Sequence, residues 1–358
     1  MTENTNSNGS TPHRRRLHYS GTHPHTYAEK YKEHQPEKYS DVVEKVINKG
    51  STPAGMHIPI MVDEIMRFLD IQPGETGLDA TLGYGGHTRH MLENLQGKGH
   101  LYALDVDPIE SAKTEQRLRD AGFGPDLLTI KLMNFADIDQ IVSETGRFDF
   151  MLADLGVSSM QIDDPTRGFS FKTDGPLDLR LNPERGISAA DRLLSVTPDE
   201  LEGMLAENAD EPCAADIAKA ICRRNRTADK IRTTRDLRET VEAVMDRKLQ
   251  NLPKAEKRKE ISKTCGRVFQ AVRIDVNSEF EVLESLMEKL PGVMNPGGRI
   301  AILTFHSGED RIVKKAFRCF HSEGVYSSIA RNVIRPSAEE CHRNPRAHSA
   351  KLRWAVKA

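Results

Sequence analysis

From residue 77 onward, apolar and polar positions alternate in blocks. Apolar runs of strand length lie at 77–81 (GLDAT), 99–107 (GHLYALDVD), 127–135 (LLTIKLMNF) and 148–156 (FDFMLADLG), separated by helically spaced stretches at 86–96, 109–121 and 136–144. This rhythm of strand and helix predicts an α/β fold with a parallel, doubly wound sheet. A fifth strand is expected at GGRIAILTFHS (297–307), after an amphipathic helix over 269–290. GVYSSIARNVIRP and SAKLRWAVKA near the end supply edge strands. Ahead of the first strand, HIPIMVDEIMRFL places Met61, Ile65, Phe68 and Leu69 on one helix face, with Pro59 in the first turn.

The texture changes after the fourth strand. SAADRLL, TPDELEGMLAEN, AADIAKAICRRN and TTRDLRETVEAVMDRKL are short helical patterns, the second opening on a capping box of Thr197, Pro198 and Glu200. They predict an all-helical insertion. The expected division is a polar N-terminal extension at 1–55, a core from 56–165 and 265–358, and an inserted helical substrate-recognition domain at 166–264.

The 358 residues suffice for one large domain with an insertion or for two domains. An apolar share of 37% and a charged share of 29% are those of a soluble globular protein. No apolar run approaches the ~18–20 residues of a membrane span, and no signal peptide is apparent, so no membrane partner is expected. Five scattered cysteines without a C-x-x-C pair read as free thiols in a reducing cytoplasm, with no metal expected. The net charge of −2 announces no nucleic-acid binder. Basic clumps nevertheless stand out: HRRR, RRNR, KAEKRK and a tail with Arg331, Arg335, Arg343, Arg346, Lys351 and Arg353. Solvated faces are their default reading.

Candidate chemistry concentrates in LDATLGYGGHTRHML (78–92), a bare turn opening a helix. Missing Cβ atoms let a backbone approach a ligand, and a helix start offers unpaired N–H groups. A dinucleotide fingerprint needs G-x-G-x-x-G, but position 88 is Thr. Asp79 precedes the loop, where a pyrophosphate is repelled and an ammonium welcomed. Asp105 ends the second strand, where a carboxylate accepts from ribose hydroxyls. An amine plus a ribose favours S-adenosylmethionine over a nicotinamide nucleotide.

Asp154 ends the fourth strand at the start of a long loop dense in Asp, Gly and aromatics (153–181). Its residue type leaves two roles open, capping backbone amides or accepting a proton. Phe169 and Phe171 either stack on a base or pack the loop. Ser307 and Asp310 fit a capping box for the helix after the fifth strand, and His306 reads as a structural histidine at the cleft edge.

Together HIPIMVDEI, LDATLGYGGHT, LDVDP, ADLGVSSMQIDDPTRGFSFKTDGPLDLRL, FQAVRIDVNSE, GGRIAILTFHSGEDRIVK and NPRAHSAKLR closely resemble the ribosomal RNA small subunit methyltransferase H family, over about residues 57–354. The resemblance implies a class I S-adenosylmethionine-dependent methyltransferase core with an inserted helical domain. The implied activity is methylation of a cytidine N4 in the decoding region of small-subunit (16S) rRNA, with the rRNA or the small ribosomal subunit as partner. Carried over by motif, cofactor contacts fall on Gly85, Gly86, His87, Asp105, Phe135, Asp154 and Gln161, with Asp154 also the candidate proton acceptor. Arg167, Arg180 and the basic helix with Arg223, Arg224 and Arg226 then face RNA phosphates. The chain departs from the family pattern at Gly308, where Leu is usual, at Lys263 and Thr264, where His-Pro is usual, and in its N-terminal extension. Rival functions are a nicotinamide-dependent oxidoreductase, a non-catalytic assembly factor that binds RNA, and a methyltransferase with another target. Whether two copies pair as a homodimer stays open.

Overall fold

The computed structural model describes residues 59–358; the expected extension at 1–55 lies outside them. Helix α1 (Val62–Leu69) leads into β1 (Thr76–Asp79), α2 (Gly86–Leu95), β2 (His100–Asp105), α3 (Pro108–Asp120) and β3 (Leu128–Leu132). The short α4 (Val142–Thr145) precedes β4 (Phe148–Asp154), which is followed by α5 (Ser159–Asp163). Six further helices are α6 (Ala189–Ser195), α7 (Pro198–Ala209), α8 (Ala214–Asn225), α9 (Thr234–Lys248), α10 (Lys254–Asn277) and α11 (Glu279–Val293). Then come β5 (Met294–Thr304), α12 (Ser307–Ser322), β6 (Tyr326–Ile329), α13 (Ala338–Arg343) and β7 (Lys351–Lys357).

The seven strands form one sheet in the order β3-β2-β1-β4-β5-β7-β6. β1 to β5 run parallel, whereas β7 is antiparallel to both its neighbours. The chain winds outward from β1 through β2 and β3, then returns to place β4 on β1's other side. That reversal opens a crevice beyond the carboxyl ends of β1 and β4, where such sheets bind ligands. The continuous apolar runs follow from burial on both faces. In β4, Phe148, Met151 and Ala153 join one core with α11 and α12. Phe150 and Leu152 point the other way, into a core with α1 and α2.

A third core holds the helical layer from Phe169 to Val272. It includes Cys265, Val268 and Phe269 of α10, so the boundary expected at 265 falls inside a helix. The helix read over 269–290 is two helices. Ser278 takes left-handed geometry (φ 48°) between α10 and α11, and Asn277 beside it binds both Leu179 O and Leu181 N. The stretch 136–144 is a tight 3-10 turn (Phe135–Gln140) running into α4. Pro59 precedes α1, whose first turn starts after left-handed Met61.

Candidate active site

A cavity of about 520 Å³ opens at the switch in strand order, within the range of small-molecule sites. Gly85, Gly86, His87, Asp105, Phe135, Asp154 and Gln161 all line it, so the fold brings every expected contact residue to one place.

The bend after β1 is built from inside. Asp79, 1% exposed, accepts from Thr81 N (3.0 Å) and from Thr88 Oγ1 (2.6 Å). Burial raises its pKa, partly countered by these bonds. The expectation that Asp79 meets an ammonium is therefore corrected: its carboxylate clamps the two ends of the loop beneath the cavity. Gly85 has φ +82°, and a Cβ there would sit 2.7 Å from Thr114 Cγ2. Its bareness serves the packing of the bend on α3 as well as any approach to a ligand.

Asp105 stands at the cavity's edge. Oδ2 accepts from Gly83 N (2.7 Å) and Oδ1 from Asp107 N (2.8 Å). A carboxylate has about four lone-pair positions, so capacity remains for two hydroxyls. Burial pushes this carboxyl up to about 6, against the pull of those amides.

His87 is buried, with Nε2 2.9 Å from Ile60 O and Nδ1 3.4 Å from Asp154 Oδ2. A carbonyl cannot donate, so Nε2 carries a proton and Nδ1 faces the carboxylate. Burial opposes a charged ring here, yet the Asp154 carboxylate and the Ile60 carbonyl outweigh it and raise its pKa. The ring thus bridges the Ile60 carbonyl and the Asp154 carboxylate. Asp154 Oδ1 is buried and has no hydrogen-bond partner among the described residues. Of the two roles left open for Asp154, amide capping finds no bond here. Its own N–H donates to Thr81 Oγ1 (2.7 Å).

Gln161 closes a capping box on α5: Oε1 accepts from Ser158 N (2.9 Å), and Nε2 donates to Asp107 Oδ2 (2.8 Å). The same oxygen of Asp107 takes Arg167 Nη1 at 2.8 Å, both side chains being almost fully buried. Arg167 also donates to the carbonyls of Arg180 and Leu181. It is thus the rivet between the end of β2 and the long loop after β4, not a phosphate contact as expected. Arg180 is likewise engaged, through Nε and Nη2, with Asp178, and Arg224 with Asp229 and Asp236. Arg223 and Arg226 remain exposed. In the tail, Arg346 grips Asp163 at 3.0 Å and Arg353 grips Asp310 at 2.7 Å. Phe169 belongs to the helical core while lining the cavity, and Phe171 rests on Phe269.

His306, not Ser307, caps α12, its partner being Glu309, while Asp310 serves Arg353. This corrects the expected capping box. Arg273, Glu279 and Glu309 line the cavity and carry no signal in sequence spacing, while His306 lines it at the cleft edge as expected. Ligand atoms of Glu279, His306 and Glu309 lie within 4.8 Å of one another. Arg273 already pairs with Glu279, and His306 Nε2 lies against Glu309. At Gly308 a Cβ would sit 2.4 Å from Phe280 Cζ, so Phe280 occupies the volume that the usual Leu side chain needs.

A mostly parallel sheet of this order, with a glycine bend and acidic strand ends around one cavity, defines an α/β methyltransferase of the class I type. Residues 54–358 match the model of the MraW methylase family. The chain belongs to that family. It is 62% identical, over 100% of its length and 97% of the relative, to "Ribosomal RNA small subunit methyltransferase H 1" of Lachnoclostridium phytofermentans. A protein of the same name from Agathobacter rectalis is 63% identical over 97% of this chain and 98% of its own. "Ribosomal RNA small subunit methyltransferase H" of Acidobacterium capsulatum is 38% identical over 84% of this chain and 98% of its own. The Lachnoclostridium match takes in the polar stretch before residue 54, which is therefore shared with a relative.

Proposed function

We propose that this protein transfers a methyl group from S-adenosylmethionine to the exocyclic N4 of a cytidine in the decoding region of small-subunit rRNA. One observation carries the reading: an unpaired, buried carboxylate oxygen, Asp154 Oδ1, in a residue that lines the cavity of a methylase-family chain. The names of the relatives support the substrate class. Such a substrate puts the protein's work in the cytoplasm, and among the described residues no helix is long and apolar enough to cross a membrane.

The residues present fit the cofactor. Asp105 would accept from the ribose hydroxyls, the bare backbone at Gly85 and Gly86 would admit the methionine portion, and Phe135 and Gln161 would complete the wall around the nucleoside. When bound, S-adenosylmethionine supplies a methyl carbon on positively charged sulfur, which takes the C–S electron pair as the new C–N bond forms. The N4 lone pair of cytosine is delocalised into the ring, so the chain must align the amine and accept its proton. Asp154 is the acceptor, with His87 holding the other carboxylate oxygen in place.

The test is incubation of the protein with labelled methyl donor and unmodified small subunits. Label on N4 of a single decoding-region cytidine is expected, with Asp154→Asn losing turnover about 100-fold, the scale of one general base, while cofactor affinity holds. Label elsewhere, or none, sinks the reading.

A further inference from the structure

Past the glycine bend, the cavity runs between α10 and the carboxyl end of β5, where the cofactor contacts leave a charged wall unused. Arg273 of α10 meets Glu279 of α11 side-on, Nε to Oε1 and Nη2 to Oε2, both at 2.8 Å. The two side chains are 14% and 13% exposed. His306 Nε2 lies 3.1 Å from Glu309 Oε1, and Glu309 Oε2 accepts from the amides of Phe305 and His306. The carboxylates of Glu279 and Glu309 thus already have nitrogen partners. Nη1 of Arg273 alone among its guanidinium nitrogens carries no hydrogen bond among the described residues.

That nitrogen is a donor held in place before any ligand arrives, because the fork with Glu279 fixes the guanidinium plane. The surroundings say what it meets. Two glutamates accompany the Arg273 guanidinium, so no net positive charge is left for a phosphate. A neutral acceptor suits the wall better. Phe171 and Phe269, with ring centroids 5.8 Å apart, line the same stretch and offer apolar faces to a flat ring. Asp154 lines the same cavity and pairs in the sheet with Leu303 of β5, two residues before Phe305. An acceptor at one strand end and a fixed donor beyond the next match a base whose amino group adjoins a ring acceptor.

We infer that Arg273 reads the acceptor edge of the target base, its Nη1 donating to N3 and O2 of a cytosine whose N4 amine is offered to Asp154. This rests on the methyl-transfer reading of the cavity. As the N4 proton passes to Asp154, negative charge moves onto N3 and O2, where the guanidinium stabilises it. Uracil presents the opposite pattern, an N3–H that would face a donor. Glu279 is the positioning residue that holds the fork.

The experiment reconstitutes small subunits whose rRNA carries either cytidine or 3-deazacytidine (C–H in place of N3) at the target position. Wild-type kcat/KM should fall about 30-fold on the 3-deaza substrate, the scale of one charged hydrogen bond. Arg273→Lys keeps the charge but loses the fork. It should lose about 30-fold on cytidine, show less than a threefold further loss on 3-deazacytidine, and bind S-adenosylmethionine unchanged by calorimetry. Because the lysine variant can fail to fold, the neutral pair Arg273→Gln with Glu279→Gln is run beside it with the same expectation. A full 30-fold 3-deaza penalty in the variants overturns the assignment alone. No transfer by the wild-type protein to the cytidine substrate overturns the methyl-transfer reading and this assignment with it.

Discussion

Asp105 shows how one side chain can be prepared for a ligand at some cost to the fold. Burial lifts its pKa from 3.8 to about 6. The folded protein therefore binds a proton that the unfolded chain releases between those values, and this group's contribution to stability falls as pH rises through that window. Ribose hydroxyls donate to the charged form, so the ligand's preference has the opposite sign. Cofactor affinity should weaken as pH drops below about 6, by up to about tenfold per pH unit, and Asp105→Asn should flatten that part of the profile. Calorimetric titration between pH 5 and 8 checks it, and a flat wild-type curve removes Asp105 from the site. The types of residue at the strand ends made Asp105 and Asp154 legible in sequence. Asp79 was misread because an acid before a glycine bend looks the same whether it faces the ligand or lies beneath the loop.

Among elements, α3 and the loop after β4 depend on one buried pair. Asp107 caps α3 by accepting from the amides of Ile109 and Glu110, and its other oxygen holds Arg167 and Gln161. Removing one partner of a buried pair leaves a charge without compensation. Arg167→Ala should cost about 3 kcal/mol, the low end of the 3–5 kcal/mol range for such pairs, because Gln161 and two amides stay with Asp107. Urea denaturation measures it. A loss below about 1 kcal/mol, the scale of an exposed pair, would falsify the rivet. Nothing in the spacing of Asp107 and Arg167 announces their pairing across 60 positions. The break at Ser278 was hidden for a similar reason. Apolar spacing continues through it, and the bonds from Asn277 to a loop nearly a hundred residues earlier lie outside any local window.

For the whole molecule, the cavity is where the layers meet. The sheet supplies strand ends, α10 crosses from the helical core to the cavity wall, and Arg346 of the tail ties back to Asp163. Ligand that binds only the folded form should stabilise these parts together. At 100 times its Kd, S-adenosylmethionine adds about 2.7 kcal/mol, which for a chain of this size raises Tm by about 5 °C. Scanning calorimetry should show one transition moving as a unit. Two transitions, with the ligand shifting only one, would show that the helical layer unfolds apart from the sheet.

Period, strand length and turn chemistry sufficed to derive the alternating α/β order, two late strands, the helical insertion and the bend that carries the site, because these are set by contacts among near neighbours. Of the two strands expected at an edge only β6 lies there, since β7 is inserted between β5 and β6. The seven residues that the resemblance implied as cofactor contacts all line the cavity, because strand ends in such a sheet converge by topology. Charges could not be assigned that way. Whether an arginine meets solvent, phosphate or a carboxylate often depends on which distant segment folds against it, as for Arg167 with Asp107, Arg353 with Asp310 and Arg346 with Asp163. The electrostatic interior of this site was decided by tertiary packing, since a desolvated charge takes whichever partner the fold delivers.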